Sequence, residues 1–202
     1  MLRPTGAPVL DPTRERLGVR LPRATRLVMA FTNEADARRV WEVLAKRLAR
    51  FGLALHPQKT RLVYFRPPKA EESSQGRTFN FLGFTHYWGR SRRGGWAVQC
   101  KTAKDRFARA LRRVSDWCRR VRHLPLPEQQ VGLCRRLRGH YAYYGISGNT
   151  RSLRCFYFQV TRTWVKWLGR RSQRGKLNWL QSSRLLARYA LPLPRLNHAT
   201  VR

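Results

Sequence analysis

The stretch LRGHYAYYGISGN, residues 137–149, decides the fold because an amphipathic run in it meets a glycine-rich break. Leu137, Tyr141 and Tyr144 follow one another at spacings of four and three residues, which places them on one apolar side of a helix. Gly145 then supplies the residue type that most often ends a helix. The stretch therefore predicts the end of a central helix whose three apolar side chains pack into a core.

Three other residues of the same stretch lie off this apolar stripe. Arg138, His140 and Tyr143 do not share its spacing, so we expect them to be free to meet a ligand. A guanidinium group and an imidazole can contact phosphate, and a phenol ring can stack on a base. Helical spacing thus separates the residues that build the core from candidate binding residues.

Amphipathic segments flank the stretch on both sides and indicate a basic helical bundle. The apolar positions that recur at helical spacing before it are Phe107, Leu111, Val114, Cys118 and Val121. Those that recur after the glycine break are Leu153, Phe156, Val160, Trp164, Trp167 and Leu168. We expect a helical domain over residues 102–190, with a shorter last segment at 177–189, and a proline-containing tail over 191–202.

The first fifty residues follow a different pattern. Four prolines interrupt residues 1–27, which predicts an irregular leader, while RLVMAFT, residues 26–32, predicts a short buried strand. A helix is then expected over residues 34–51, with Asn33 as its N-cap and Gly52 just after its end.

A β-hairpin is expected before the helical domain. Residues 78–88 alternate large apolar and smaller side chains as one strand, and residues 96–101 supply a second strand across the basic turn 89–95. The predicted fold class is therefore α+β: a helix and a β-hairpin, followed by a basic helical bundle.

The charge of the chain is extreme. It has 43 Lys and Arg against 10 Asp and Glu in 202 residues, a formal net charge of +33. A folded chain with this charge needs a polyanion, and nucleic acid is a better candidate than an anionic membrane because the arginines alternate with aromatic residues. The four cysteines are far apart, and no apolar run is long enough to cross a bilayer, so we expect a cytoplasmic protein.

The candidate RNA-binding residues are basic or aromatic side chains that lie off the apolar stripes or in the hairpin turn. They are Arg90, Arg92, Arg93, Arg109, Arg112, Arg113, Arg119, Arg120, Arg138, His140, Tyr143, Lys166, Arg170 and Arg171. A solvated surface is the ordinary explanation of such a charge run, but ten acidic residues are too few to pair with these arginines.

Five segments together resemble the C-terminal part of bacterial group II intron-encoded proteins, the reverse transcriptase/maturases. They are ADARRVWEVLAKRLARFGLALHPQKTRLVYF (35–65), TFNFLGFTHYWGRSRRG (78–94), RLRGHYAYYGISGN (136–149), WVKWLGRRS (164–172) and PLPRLNH (192–198). The resemblance implies that residues 28–101 are the end of a reverse-transcriptase palm. It implies that residues 102–190 are the maturase-specific helical domain, also called the X domain or thumb.

The resemblance also suggests roles for four residues. Phe81, Leu82 and Gly83 match the primer grip, a hairpin that lies against the primer backbone. Lys59 matches a lysine placed near the leaving pyrophosphate. Where the family has its Tyr-Ala-Asp-Asp motif, residues 23–26 read Arg-Ala-Thr-Arg, so both metal-binding aspartates of that motif are missing.

Polymerase activity is therefore not expected from this chain alone, although the family is one of RNA-directed DNA polymerases. No catalytic residue and no cofactor are predicted, and Mg²⁺ is expected only if other sequence supplied a complete site. The expected partners are structured intron RNA and, secondarily, a DNA target, without a membrane. An open palm edge would also allow self-association.

Three functions stay open at this point. The first is an RNA-binding, maturase-like fragment that helps intron RNA to fold for splicing. The second is a reverse transcriptase that acts only as part of a longer or complemented protein. The third is a general basic nucleic-acid-binding protein.

Overall fold

The computed structural model describes residues 27–68, 78–91, 93–171 and 177–196. Its elements are α1 (Glu34–Ala49), β1 (Phe79–Phe81), β2 (Phe84–Arg90), β3 (Trp96–Thr102), α2 (Lys104–Val121), α3 (Leu126–Tyr144), α4 (Thr150–Leu168) and α5 (Trp179–Arg188). The α+β class is confirmed by these helices and the antiparallel sheet. The chain divides into two compact units, residues 1–53 and 54–202.

The first unit contains α1, which forms as predicted. Glu34 and Asp36 lie in its first turn, where carboxylates favour the helix dipole, and each pairs with an arginine one turn later. The helix ends at Ala49, two residues before the predicted end, and the chain turns at Gly52, whose φ is 68°. The Leu53 amide donates to the Leu48 carbonyl there. Of the residues of α1 only Ala37 is buried.

The strand predicted over residues 26–32 is wrong for the described residues 27–32, which form no strand. Leu27, Val28, Met29 and Phe31 are all exposed. A short apolar run becomes a strand only beside another strand that satisfies its backbone groups, and within the described residues none pairs with it. The rest of the predicted leader, residues 1–26, lies outside the described residues.

The second unit begins with a sheet that has three strands instead of the predicted two. The single strand expected over 78–88 is broken into β1 and β2 by a turn at Leu82 and Gly83. Both residues have positive φ, 47° and 82°, the pattern of a type I′ hairpin turn. The predicted pairing across the basic turn is confirmed, since β2 and β3 are antiparallel neighbours from Phe84–Thr102 to Arg90–Trp96.

Helices α2, α3 and α4 form the core of the second unit. The packing predicted for Tyr141 and Tyr144 is confirmed, because Tyr141 is buried and Tyr144 packs against the core cluster. Pro127 lies in the first turn of α3, and the Gly145 amide donates to the Tyr141 carbonyl where the helix ends. The fully buried apolar side chains of these helices are Cys118, Leu133, Leu137, Leu153, Phe156, Val160 and Trp164.

Two buried amides connect these elements. The Asn149 side chain accepts from the Thr102 amide at 2.9 Å and donates to the Thr102 hydroxyl at 2.8 Å and the Tyr144 carbonyl at 2.9 Å. The Gln129 side chain accepts from the Trp164 indole at 3.0 Å and donates to the Leu124 carbonyl at 2.9 Å. Asn149 therefore links the sheet to the α3–α4 turn, and Gln129 links the α2–α3 turn to α4.

The boundary predicted between residues 28–101 and 102–190 lies inside the second unit. Strand β3 runs to Thr102, and α2 starts at Lys104 with Ala103 buried between them. The Ala103 amide donates to the Gly83 carbonyl at 2.9 Å, so the β1–β2 turn is attached to the start of the bundle. Among the described helices, none has both the length and the apolar character needed to cross a membrane.

Candidate nucleic-acid interface

Helix α2 carries the longest series of predicted RNA-binding residues. On the opposite side of the helix Val114 and Cys118 are buried. The exposed side carries five arginines, Arg109, Arg112, Arg113, Arg119 and Arg120. Within the part of the chain that the structure describes, none of the five lies within ion-pair distance of a carboxylate, and the α2 pair that does form joins Arg106 to Asp105. These guanidinium groups therefore face solvent, and no carboxylate of the described residues neutralises them.

An arginine cluster, Arg120, Arg135 and Arg136, lies where α2 meets α3, and the sequence prediction missed its last two members. The Arg136 guanidinium lies 4.1 Å from the centre of the Trp117 ring, and its Nη1 donates to the Gly132 carbonyl at 3.0 Å. Burial lowers the pKa of Arg136, and the charges of Arg120 and Arg135 lower it further, while Cys118 opposes the shift.

Gly132 makes this arrangement sterically feasible. A Cβ at that position would lie 2.5 Å from Cζ2 of Trp117, much closer than any side chain tolerates. The indole can therefore lie against the backbone of α3, where its ring contacts the Arg136 guanidinium group. A sequence pattern could have indicated this contact: Gly132 lies four residues before Arg136, and Trp117 lies on the preceding helix.

The exposed side of α4 forms a second basic surface, which we call the α4 face. Arg151, Arg154, Arg162 and Lys166 are exposed, and Phe158 between them is 62% exposed. The helix contains no Asp or Glu. Of the α4 face only Lys166 was predicted, although spacings of three and four residues, opposite Leu153, Phe156 and Val160, could have identified the others.

One of the predicted arginines of the hairpin turn, Arg90, is exposed but makes contacts within the turn. The Arg90 guanidinium lies 4.3 Å from the centre of the Trp96 ring, and its Nη1 donates to the Gly94 carbonyl at 2.9 Å. Arg93 is exposed at the tip, and Arg92 lies outside the described residues. Arg90 thus stabilises the turn. A phosphate would bind its guanidinium group alongside the Trp96 and Gly94 contacts.

The basic residues at the end of α4 also include both exposed charges and an arginine that makes an internal contact. Lys166 and Arg170 lie 5.8 and 5.3 Å from the centre of the Trp167 ring, with their charged groups exposed. The Arg171 Nη2 donates to the Leu124 carbonyl at 2.5 Å, so this arginine holds the α2–α3 turn. Arg138 on α3 is exposed.

His140 is not free to meet a ligand, and that prediction is wrong. Its ring stacks on Phe156 with 3.8 Å between centroids and lies 4.6 Å from the Tyr144 ring. Its Nε2 is buried and has no hydrogen-bond partner among the residues that the structure describes, and burial lowers the pKa of His140 to about 4. His140 is i+3 from Leu137 and i−4 from Tyr144, so the core stripe is one residue wider than predicted.

Tyr143 is exposed as predicted, but it is not free. Its hydroxyl donates to the Leu82 carbonyl at 2.8 Å, and its ring is parallel to that of Phe84 with 5.9 Å between centroids. A Cβ on Gly83 would lie 3.2 Å from the Tyr144 hydroxyl, so the β1–β2 turn packs against the end of α3. The Leu82 carbonyl therefore has an internal partner.

Two further features of the described surface are the turn that carries Lys59 and a cleft beside the sheet. Lys59 is exposed in a turn where the Lys59 and Thr60 amides both donate to the His56 carbonyl. A shallow cleft of about 700 Å³ lies between the sheet and the start of α2, with Lys101 and Lys104 at its edge. Among the described residues, no group of three His, Cys, Asp or Glu side chains could hold a metal ion.

The chemistry available on α2, α3 and α4 is binding through exposed, permanently charged guanidinium groups on a rigid core. Each can grip a phosphate through two parallel hydrogen bonds. No protein-family model matches the chain, and no curated protein or solved structure matches it significantly.

Proposed function

We propose that this chain binds structured RNA through the exposed arginines of α2, the arginine cluster and the α4 face. The observation that carries the proposal is the set of five exposed α2 arginines, none of which pairs with a carboxylate among the described residues. Such a surface is stabilised when phosphates replace the mobile anions around it.

The ordered core gives this surface a fixed shape. Trp164, Phe156 and Leu133 are fully buried below it, and buried amides join the turns to the helices. A disordered basic tail would neutralise phosphates in any arrangement, whereas arginines at fixed positions favour RNA folds whose phosphates lie at matching positions.

The sequence resemblance directs the proposal to group II intron RNA. In that function the RNA performs the splicing chemistry, and the protein stabilises its active fold where phosphates pack closely. We propose the bacterial cytoplasm as the place where protein and RNA meet. A DNA target of the intron is a secondary partner under the same proposal.

The salt dependence of binding tests which charges contact the RNA. The variant Arg112→Gln/Arg113→Gln removes two exposed α2 charges, and Arg38→Gln/Arg39→Gln removes two charges of α1 that already pair with Glu34 and Asp36. The affinity for an intron RNA is measured against salt concentration for both variants and the wild type. The α2 variant should lower the slope of log affinity against log salt by about 2, and the α1 variant should leave it unchanged.

Two outcomes would contradict this proposal. Slopes that are the same for the α2 variant and the wild type would mean that these arginines do not contact phosphate. Affinity that hardly changes with salt would remove the electrostatic basis altogether. Circular dichroism spectra of both variants establish that the helices are retained.

A second candidate, a general nucleic-acid-binding protein, is favoured by the nature of the same surface. Arginine contacts with phosphates position a protein on RNA but carry no sequence information directly. Equal affinities for the intron RNA and for a random RNA of the same length would favour this candidate. A clear preference for the intron RNA would favour the maturase-like function.

A further inference from the structure

The α4 face combines charge with an aromatic ring in a way that phosphate binding alone does not explain. Phe158 is 62% exposed, although Phe156 and Val160, two residues away on either side, are buried at 2% and 0%. Its ring has one described aromatic neighbour, Tyr157, in an edge-on arrangement with centroids 5.7 Å apart. One flat surface of a large apolar side chain is therefore available to a ligand.

The basic neighbours of Phe158 are arranged symmetrically along the helix. Arg154 and Arg162 are four residues before and after it, about 6 Å along the helix axis in each direction. Arg151 and Lys166 extend the same side by about one further turn each way. Because α4 contains no acidic residue, every charge that this helix places beside the ring is positive.

We propose that Phe158 stacks on an unpaired nucleobase of the bound RNA while Arg154 and Arg162 hold the phosphates on either side. This inference rests on the proposed RNA-binding function and adds the class of RNA element that is recognised. Bases stack on aromatic side chains wherever they are unpaired, and flanking positive charge tracks the backbone. A paired base keeps both flat surfaces inside the helix, so a regular duplex cannot fill the site.

Charge favours RNA over a protein as the occupant of this face. A second copy of the chain would bring another net charge of +33 against four exposed basic side chains. An unpaired nucleotide supplies a flat apolar base and negative phosphates together, and so matches both properties of the surface.

A double-mutant cycle between protein and RNA tests the stacking contact. One probe is an RNA stem-loop with a single bulged adenosine, and the other has an abasic ribose at the bulge, so both carry the same number of phosphates. The full chain should bind the abasic RNA about 10-fold more weakly than the adenosine RNA. Phe158→Ala should bind both with equal affinity, close to that of the wild type for the abasic RNA.

Further variants separate stacking from simple exposure. Phe158→Tyr keeps a flat ring and should retain the preference for the adenosine bulge, whereas Phe158→Leu keeps apolar area and should lose it. Trp179→Ala is the matched control, because Trp179 is 81% exposed but lies on α5, where the residues three and four positions after it are Ser182 and Ser183 instead of arginines. It should bind both RNAs as the wild type does.

The outcomes distinguish a failure of the stacking site from a failure of the proposed RNA-binding function. Equal binding of the two RNAs by the wild type would overturn the stacking site but leave RNA binding intact. No salt-dependent binding of either RNA would overturn the proposed function itself. A loss of preference in Phe158→Ala that is matched by Trp179→Ala would overturn the assignment to the α4 face. Dimers that dissociate in Phe158→Ala, with unchanged RNA preference, would identify the ring as a contact between copies.

Discussion

At the scale of single residues, His140 shows how a polar side chain can be a core residue. It occupies a place on the apolar side of α3 and stacks on Phe156 of α4. The imidazole ring supplies flat apolar area there, but its Nε2 has no hydrogen-bond partner in the described part of the chain. Since burial penalises the charged form, this position favours a neutral histidine.

Replacement of His140 by phenylalanine should remove a pH dependence of the free energy of unfolding. Burial lowers the pKa of His140 from 6.5 to about 4, so between these values the unfolded chain binds a proton that the folded chain does not. The wild type should lose on the order of 3 kcal/mol from this group as pH falls from about 6.5 to about 4. Above about pH 6.5 this contribution is complete and constant.

The measurement is urea denaturation of the wild type and His140→Phe at several pH values. The variant keeps a ring for stacking on Phe156, and the difference between the two proteins cancels the titration of the carboxyl groups. A difference that stays constant from pH 7 to pH 4 would show that the folded chain protonates His140 as easily as the unfolded chain.

At the scale of elements, helical periodicity predicted the structure better than strand alternation did. Most positions from Phe107 to Leu168 that recur every three or four residues fall in the core or pack against it, because each helix satisfies its own backbone and needs only one apolar side. Val121 is not part of the core cluster, and Val131 is 56% exposed. The strand over 78–88 was drawn too long because Leu82 adopts a positive φ that its side chain disfavours. The contacts of Tyr143 and Tyr144 with this turn are set by tertiary structure, and no local pattern reports them.

The sequence predicted part of the candidate nucleic-acid interface but not all of it. Arginines off the apolar stripe of α2 are exposed as expected, because a guanidinium group is rarely buried without a partner. The support of Arg136 by Trp117 depends on the close approach of two helices, which the sequence does not specify. Arg171 is a structural residue for a similar reason, since its partner, the Leu124 carbonyl, is 47 residues away.

Asn149 is the residue on which the junction between the sheet and the α3–α4 turn depends. The variant Asn149→Ala should lower the free energy of unfolding by about 2–4 kcal/mol, because it leaves buried groups of Thr102 and Tyr144 without partners. Asn178→Ala is the matched control: that asparagine caps α5 at the surface, and its loss should cost about 1 kcal/mol. Equal losses in urea denaturation would contradict the importance given to the buried junction.

At the scale of the whole molecule, repulsion among like charges opposes the folded state. The net charge of +33 is concentrated on a chain with ten acidic residues, three of which lie in α1. Folding brings the arginines of α2, α3 and α4 closer together than they are in the unfolded chain. The same repulsion opposes self-association through an open sheet edge, which remains a prediction.

Added salt should therefore raise the thermal stability of the isolated protein. At 0.1 M ionic strength the screening length is about 10 Å, and at 1 M it is about 3 Å, so repulsion between neighbouring helices weakens strongly over this range. We expect Tm, followed by circular dichroism, to rise by several degrees, with Arg112→Gln/Arg113→Gln gaining less than the wild type. A Tm that falls with sodium chloride would contradict the account of unpaired charge.

The junction at Asn149 also bears on the order in which the second unit forms. Its bonds to Thr102 join positions that are 47 residues apart, whereas the β2–β3 hairpin and the single helices depend on neighbours in the chain. Contacts that close a long loop form late, since the entropy of the chain between them must be lost first. We expect the hairpin and helices to appear early in refolding, with the junction closing last and setting the lifetime of the native state.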